Sequence, residues 1–356
     1  MKKQFFLQII IIGILFSCTF ADNNLDKEVV KAYEIRMNGK VDDARALLDS
    51  ILTIDSTNAM AHYEMARLQT YLLTGGGDVD IDQIMVSINN AVNYDPENVI
   101  YAYFKGTTCF LNAFISMQSG GEEVKKHIEE TCQAFDKVVT LKPDYAEAML
   151  YLVDIYGQLP RDMGGDSVKA FDYANKLTNL DGYWGAKAKA TLAPDDTDYL
   201  KYWQDLIVLN GKNADYLKEA GVACLYAEDP ENAEKYFNEA INLDPSRTIL
   251  ILDLSRYYMY HVMQNQDMAE TELPLAKKYA EKYLNTGPVV PLKAYTLGLL
   301  TRYERFMGNQ EVSAKLMEEA KALDPYFSRA SGVPSRVLFD QPDQISHHYA
   351  SFFSPF

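Results

Sequence analysis

The most regular signal along the chain is a set of apolar and small residues spaced for paired helices. In the segment Asn213 to Pro245, Ala233, Phe237 and Ala240 stand twelve, eight and five residues before Pro245, and Gly221 stands twenty-four before it. Apolar positions three and four apart share one helix face, so these residues predict a helix that stops at Pro245. Proline lacks an amide donor and biases the residue before it away from helix. The small pair Gly221 and Ala233 predicts a preceding antiparallel helix whose backbone approaches closely, with Phe237 filling the gap to the neighbouring hairpin.

The same ending recurs along the chain. With Ser56, Pro96, Pro143, Gly182, Pro288 and Pro325 in the stop position, the corresponding triplets are Ala44, Leu48, Ile51; Ile84, Ile88, Ala91; and Thr131, Phe135, Val138. They continue as Ala170, Ala174, Leu177; Ala276, Ala280, Tyr283; and Ser313, Met317, Ala320. A weaker unit ends near Gly211, with Trp203 in the bulky position. Self-similarity of this period predicts a stack of about eight helix pairs between Asp22 and Pro325.

The segment Asn213 to Pro245 resembles a tetratricopeptide (TPR) unit of about 34 residues, with Leu217 at the early Trp or Leu position of the first helix. The resemblance implies an all-α solenoid of helical hairpins wound as a right-handed superhelix, built to bind a partner. Where units exceed the usual length, the surplus is expected between the two helices of a pair. Three such elbows carry one signature: Gly75-Gly76-Gly77-Asp78, Gly120-Gly121-Glu122 and Gly164-Gly165-Asp166. Glycine frees the chain to leave the first helix, and the acid faces the free amides of the next.

The ends of the chain read differently. Lys2-Lys3 precede an apolar run from Phe5 to Phe16, the length of a secretory leader and short for a membrane span. Residues 1–21 are therefore read as a signal peptide, 22–325 as the solenoid and 326–356 as an aromatic C-terminal tail that caps it. Leu15-Phe16-Ser17-Cys18 resembles a bacterial lipobox that would acylate Cys18, whereas Thr19-Phe20-Ala21 resembles an ordinary cleavage site. Either way the chain is expected to be exported, to the periplasm or to the outer membrane, and to meet a membrane only through that possible lipid anchor.

Charge narrows the partner. The formal net charge is −16, and nucleic-acid binding runs on clustered Lys and Arg, so nucleic acid is not expected. In a TPR superhelix the first helix of each pair lines the inner face. The inward positions are Tyr33, Arg36, Tyr63, Arg67, Tyr71, Tyr103, Phe110, Asp154, Lys218, Tyr226, Arg256, Tyr260, Tyr295, Arg302 and Tyr303. Tyrosine and arginine concentrate binding energy at interfaces, and the four arginines suit a carboxylate or an acidic peptide. Tyr63 and Arg67 stand where TPRs that clamp an acidic C-terminus carry Lys and Asn, so that ligand is not implied. The inward set predicts a groove for a protein or peptide; similarity to exported TPR lipoproteins of solute transporters makes a small solute the alternative.

Nothing in the sequence points to catalysis or to a cofactor. No H-E-x-x-H, G-x-S-x-G, Walker loop or dinucleotide fingerprint is present. Asp78-Val79-Asp80-Ile81-Asp82 opens like a calcium loop, but Gln83 and Asn89 occupy the positions of its glycine and bidentate Glu. Cys109, Cys132 and Cys224 lack zinc-ligand spacing. Cys109 and Cys132 are placed either to meet across one hairpin or to serve as small core residues.

Overall fold

A computed structural model of the chain describes residues 24–121 and 123–327. They form sixteen α-helices in eight antiparallel pairs, with no strand among the described residues. The pairs are α1 (24–37) with α2 (Val41–Ile54), α3 (Ala59–Gly75) with α4 (Ile81–Tyr94), and α5 (Val99–Gln118) with α6 (Val124–Leu141). Next come α7 (Ala146–Gln158) with α8 (Ser167–Leu180) and α9 (Gly182–Thr191) with α10 (Tyr199–Asn210). The last three are α11 (Ala214–Tyr226) with α12 (Pro230–Leu243), α13 (Leu250–Gln264) with α14 (Ala269–Leu284), and α15 (Val290–Phe306) with α16 (Gln310–Leu323). The signal-peptide reading, Cys18 and the tail beyond Phe327 lie outside the described residues.

The repeat positions are the core. Of the seven triplets, every residue is buried except Met317, which is half-buried, and Trp203 is buried with them. Each second helix ends one to four residues before its stop residue, as in α12, where Leu243 is followed by Asp244 and Pro245. The short unit ending at Gly211 owes its spacing to two clipped helices, α9 of 10 residues and α10 of 12.

The structure adds a contact within the pair: a Cβ on Gly221 would lie 2.4 Å from the Phe237 ring, so the ring also packs on the bare backbone of its own first helix. Gly106 and Phe135 repeat the arrangement in the third pair, at 2.6 Å. Gly221→Ala must displace a ring that is buried on every side, a forced overpacking of about 1–3 kcal/mol. Urea unfolding should report a loss in that range, and Phe237→Leu in the same background should recover part of it.

The elbows differ from expectation. Asp166 does cap α8, accepting from Val168 and Lys169 amides. At the first elbow the cap is Asp80 rather than Asp78, in a reciprocal box with Gln83. In the third pair the extra residues lengthen the helices themselves, α5 to 20 residues and α6 to 18. Glu122 of the second elbow lies outside the described residues.

The solenoid closes on itself. The end of α16 meets the elbows of the first two pairs: Tyr71 on α3 donates to the Asp324 carboxylate, and Tyr326 Oη donates to Asp42 on α2 at 2.9 Å. A Cβ at Gly39 would fall 1.8 Å from the Leu323 carbonyl oxygen, and one at Gly75 1.9 Å from that of Tyr326. Eight pairs thus complete one circuit. Phe327 then turns back onto Gly298 of α15.

Candidate functional site

The predicted inner-face residues divide at the middle of the chain. In the first three pairs all but Phe110 are core. Arg36 Nε and Arg67 Nη1 each donate to Glu64 at 2.8 Å, and all three side chains are at most 1% exposed. The Arg67 guanidinium also lies 5.4 Å from the Tyr33 ring and 5.3 Å from that of Tyr63, cation–π contacts that partly replace lost water. Tyr63 packs on Tyr101 at 4.8 Å, and Tyr103 on Tyr145 at 4.9 Å. Tyr71 belongs to the seam with Asp324. These residues hold helices together and offer a ligand no surface, because long tyrosine and arginine side chains on tightly wound first helices meet neighbouring helices before they meet solvent.

Tyr295 and Tyr303 are buried as well, Tyr303 sharing a hydrogen bond with Ser255 at 3.0 Å. What stays accessible is Phe110, Asp154, Lys218, Tyr226, Tyr260 and Arg302, with Arg256 just beneath. Tyr226 is 64% exposed and Tyr260 41%, large values for aromatic side chains on a packed helix.

Those from Asp154 onward line a strip along the first helices α7 to α15, joined by charges of alternating sign. Lys187 on α9 reaches Glu219 on α11 at 2.6 Å, Lys218 approaches its other oxygen at 2.9 Å, and Tyr183 donates to the same carboxylate at 2.9 Å. On α13, Arg256 pairs with Asp253 at 2.8 Å. Arg302 on α15 donates to the Met263 sulfur at 3.1 Å. Lys187, Glu219, Tyr183 and Asp253 were not among the inward positions read from sequence. Their signal was there: Asp154, Lys187, Glu219 and Asp253 recur about one repeat apart.

Burial alone would raise the Glu219 carboxyl, but Lys187 and Lys218 outweigh it and hold it down at about 2. Burial likewise raises Asp253, with Arg256 and Lys218 opposing. Because Glu219 is depressed below its unfolded value, its contribution is fully present above that value and is lost as pH falls from about 4.5 toward 2. The loss is on the order of 3 kcal/mol. Glu219→Gln should flatten the acid limb of a stability–pH curve across that window, and an unchanged limb would mean the triad is solvated.

The thiols of Cys109, Cys132 and Cys224 are free and buried, with burial pushing each up to about 11. Cys109 and Cys132 are thus core residues and do not pair. Among the described residues, no group of three His, Cys, Asp or Glu is placed to hold a metal ion.

Stacked hairpins closed by small-on-aromatic contacts define a helical-repeat solenoid. The repeat is similar in architecture to the tetratricopeptide (TPR) hairpin, with a glycine of the first helix against an aromatic ring of the second. No protein-family profile matches the sequence, and no curated protein does. The structure is similar to that of MamA, at 15% identity over 60% of this chain and 94% of that one, with a TM-score of 0.33. It is also similar to a tetratricopeptide repeat protein from Parabacteroides merdae, at 13% identity over 84% and 93%, with a TM-score of 0.34. A monomeric mutant of IFIT1 with Gppp-AAAA matches at 16% identity and a TM-score of 0.40, over 84% of this chain but only 55% of that one.

Proposed function

We propose that the protein is a non-enzymatic scaffold of the bacterial cell envelope that holds a protein or peptide along the strip from α7 to α15. The observation that carries this reading is the alternation of charge. Lys187, Lys218 and Arg256 are each committed to a carboxylate of their own strip. Such a surface presents paired donors and acceptors rather than a net field. It complements a polypeptide, which alternates N–H, C=O and side chains of both signs, better than it complements a polyanion. Tyr226 and Tyr260 add broad apolar area with a polar tip at low entropic cost. No cofactor enters this reading.

Export and a lipid at Cys18 belong to the same proposal, supported by the leader sequence. Among the described residues, no helix is long and apolar enough to cross a membrane. Cys18→Ala should move the chain from the membrane to the soluble envelope fraction if the lipid is its anchor.

Site-specific photo-crosslinking tests the strip. With the crosslinker at Tyr226 or Tyr260 in the full chain, discrete adducts are expected, and Arg302→Glu should reduce them. The same group at Val208, exposed on the second helix α10, should give none. Equal adducts at all three positions would sink the groove.

A small solute is the second reading, favoured by one observation: a compact apolar pocket opens beside Asp154, between α5 and α7.

A further inference from the structure

That pocket has a cavity volume of about 130 Å³ and is walled by Phe110, Phe114 and Met117 of α5, Ile128 of α6, Ile155 of α7 and Leu159 just beyond its end. An apolar cavity of about 150 Å³ takes up benzene, so the space fits one ring or a short aliphatic body. Its rim is unusual for a packed solenoid. Phe114 is 40% exposed and Met117 47%, leaving apolar surface in water where the third and fourth pairs meet.

Three polar side chains reach the lining, and two of them are spoken for. Thr131 donates to the His127 carbonyl at 2.7 Å, and Gln158 donates through its amide to the Thr191 carbonyl. Asp154 makes no hydrogen bond or ion pair with any described residue, and its carboxyl is raised above the ordinary range by burial, with Lys187 only partly offsetting this. A carboxylate at the rim of an apolar cavity, open to solvent on one side and without an ion pair of its own, is stabilised by an arriving cation that carries its own apolar body.

We propose that this pocket binds a small amphipathic amine, its protonated nitrogen on Asp154 and its apolar body between Phe110, Phe114 and Ile155. The aromatic walls add to the attraction, since an ammonium group near a ring face is favoured when desolvated. The site deepens the small-solute reading and lies at the α7 end of the strip, while Tyr226 and Tyr260 on α11 and α13 are not part of its lining, so photo-crosslinking there fails or succeeds independently of it.

Calorimetric titration of the full chain with 2-phenylethylamine is the test, with 2-phenylethanol as the neutral counterpart and methylamine as the cation without a body. A charge-assisted hydrogen bond in such a site predicts that the phenyl amine binds about tenfold or more tighter than either. Asp154→Asn should erase the advantage over the alcohol and leave the alcohol's own binding as it was. Phe114→Ala should weaken both phenyl ligands; Asp154 and Phe114 are both solvent-accessible, so melting curves should confirm that each variant folds. Equal binding of amine and alcohol overturns the proposal, as does an amine preference that survives Asp154→Asn or an absence of amine binding at millimolar concentration.

Discussion

Glu64→Ala should lower stability by about 3–5 kcal/mol, the largest effect expected of any single side chain here, because it leaves two buried guanidinium groups without their counter-charge. Arg36 and Arg67 converge on this one carboxylate, and none of the three side chains is more than 1% exposed. Arg36 is the more vulnerable, since its two terminal nitrogens have no hydrogen-bond partner and are shut off from water. Glu64→Gln retains an acceptor but not the charge and should fall between wild type and alanine. The triple replacement of Arg36, Glu64 and Arg67 by leucine or methionine should cost less than Glu64→Ala, because the two guanidinium groups leave together with the carboxylate they share. Urea unfolding of the four proteins ranks them. A triple variant less stable than Glu64→Ala would show that the ion pairs themselves, not the avoidance of orphaned charge, support the first two hairpins.

This triad also marks where sequence reading stopped. The hairpin array was legible because it is written locally: small and bulky residues at fixed offsets and a stop residue after each second helix recur in every unit, and the structure buries nearly all of them. Which first-helix residues face solvent is not local. Arg36 and Tyr63 look like groove residues until the winding between adjacent pairs brings Glu64 and Tyr101 against them. Glu64 did leave one trace, three residues before Arg67, the spacing of an ion pair on one helix face. Asp154, Lys218, Tyr226 and Tyr260 lie where neighbouring helices leave their side chains at least partly accessible. The partners that turn it into a ladder, Lys187 and Glu219, were visible only as a recurrence of charge at the repeat period.

Closure of the ring was not legible at all, since it sums small rotations over eight units, and it yields the second large prediction. Gly39→Val should open the seam between α16 and the first elbow. Gly39 has φ of +77°, where a residue with a Cβ is disfavoured by about 1–2 kcal/mol. Its Cβ would also sit 1.8 Å from the Leu323 carbonyl oxygen, a backbone atom with nowhere to move. The seam's hydrogen bonds through Tyr71 and Tyr326 return only about 1 kcal/mol each, or a little more for bonds to charged carboxylates, so parting the ends relieves more than it forfeits. Gly308→Val separates the two costs. That glycine holds the equivalent elbow of the eighth pair, at φ +83°, with open space around it. Both variants carry the left-handed penalty, but only Gly39→Val meets the far end of the chain. Small-angle scattering should therefore show a larger radius of gyration for Gly39→Val alone, with faster amide exchange in α1, α2 and the end of α16. If Gly308→Val expands the molecule equally, the ends are not held at Gly39. Tyr71→Phe offers a gentler approach to the same contact, removing one donor to Asp324 without a clash, and should raise exchange at the seam while leaving the scattering profile unchanged.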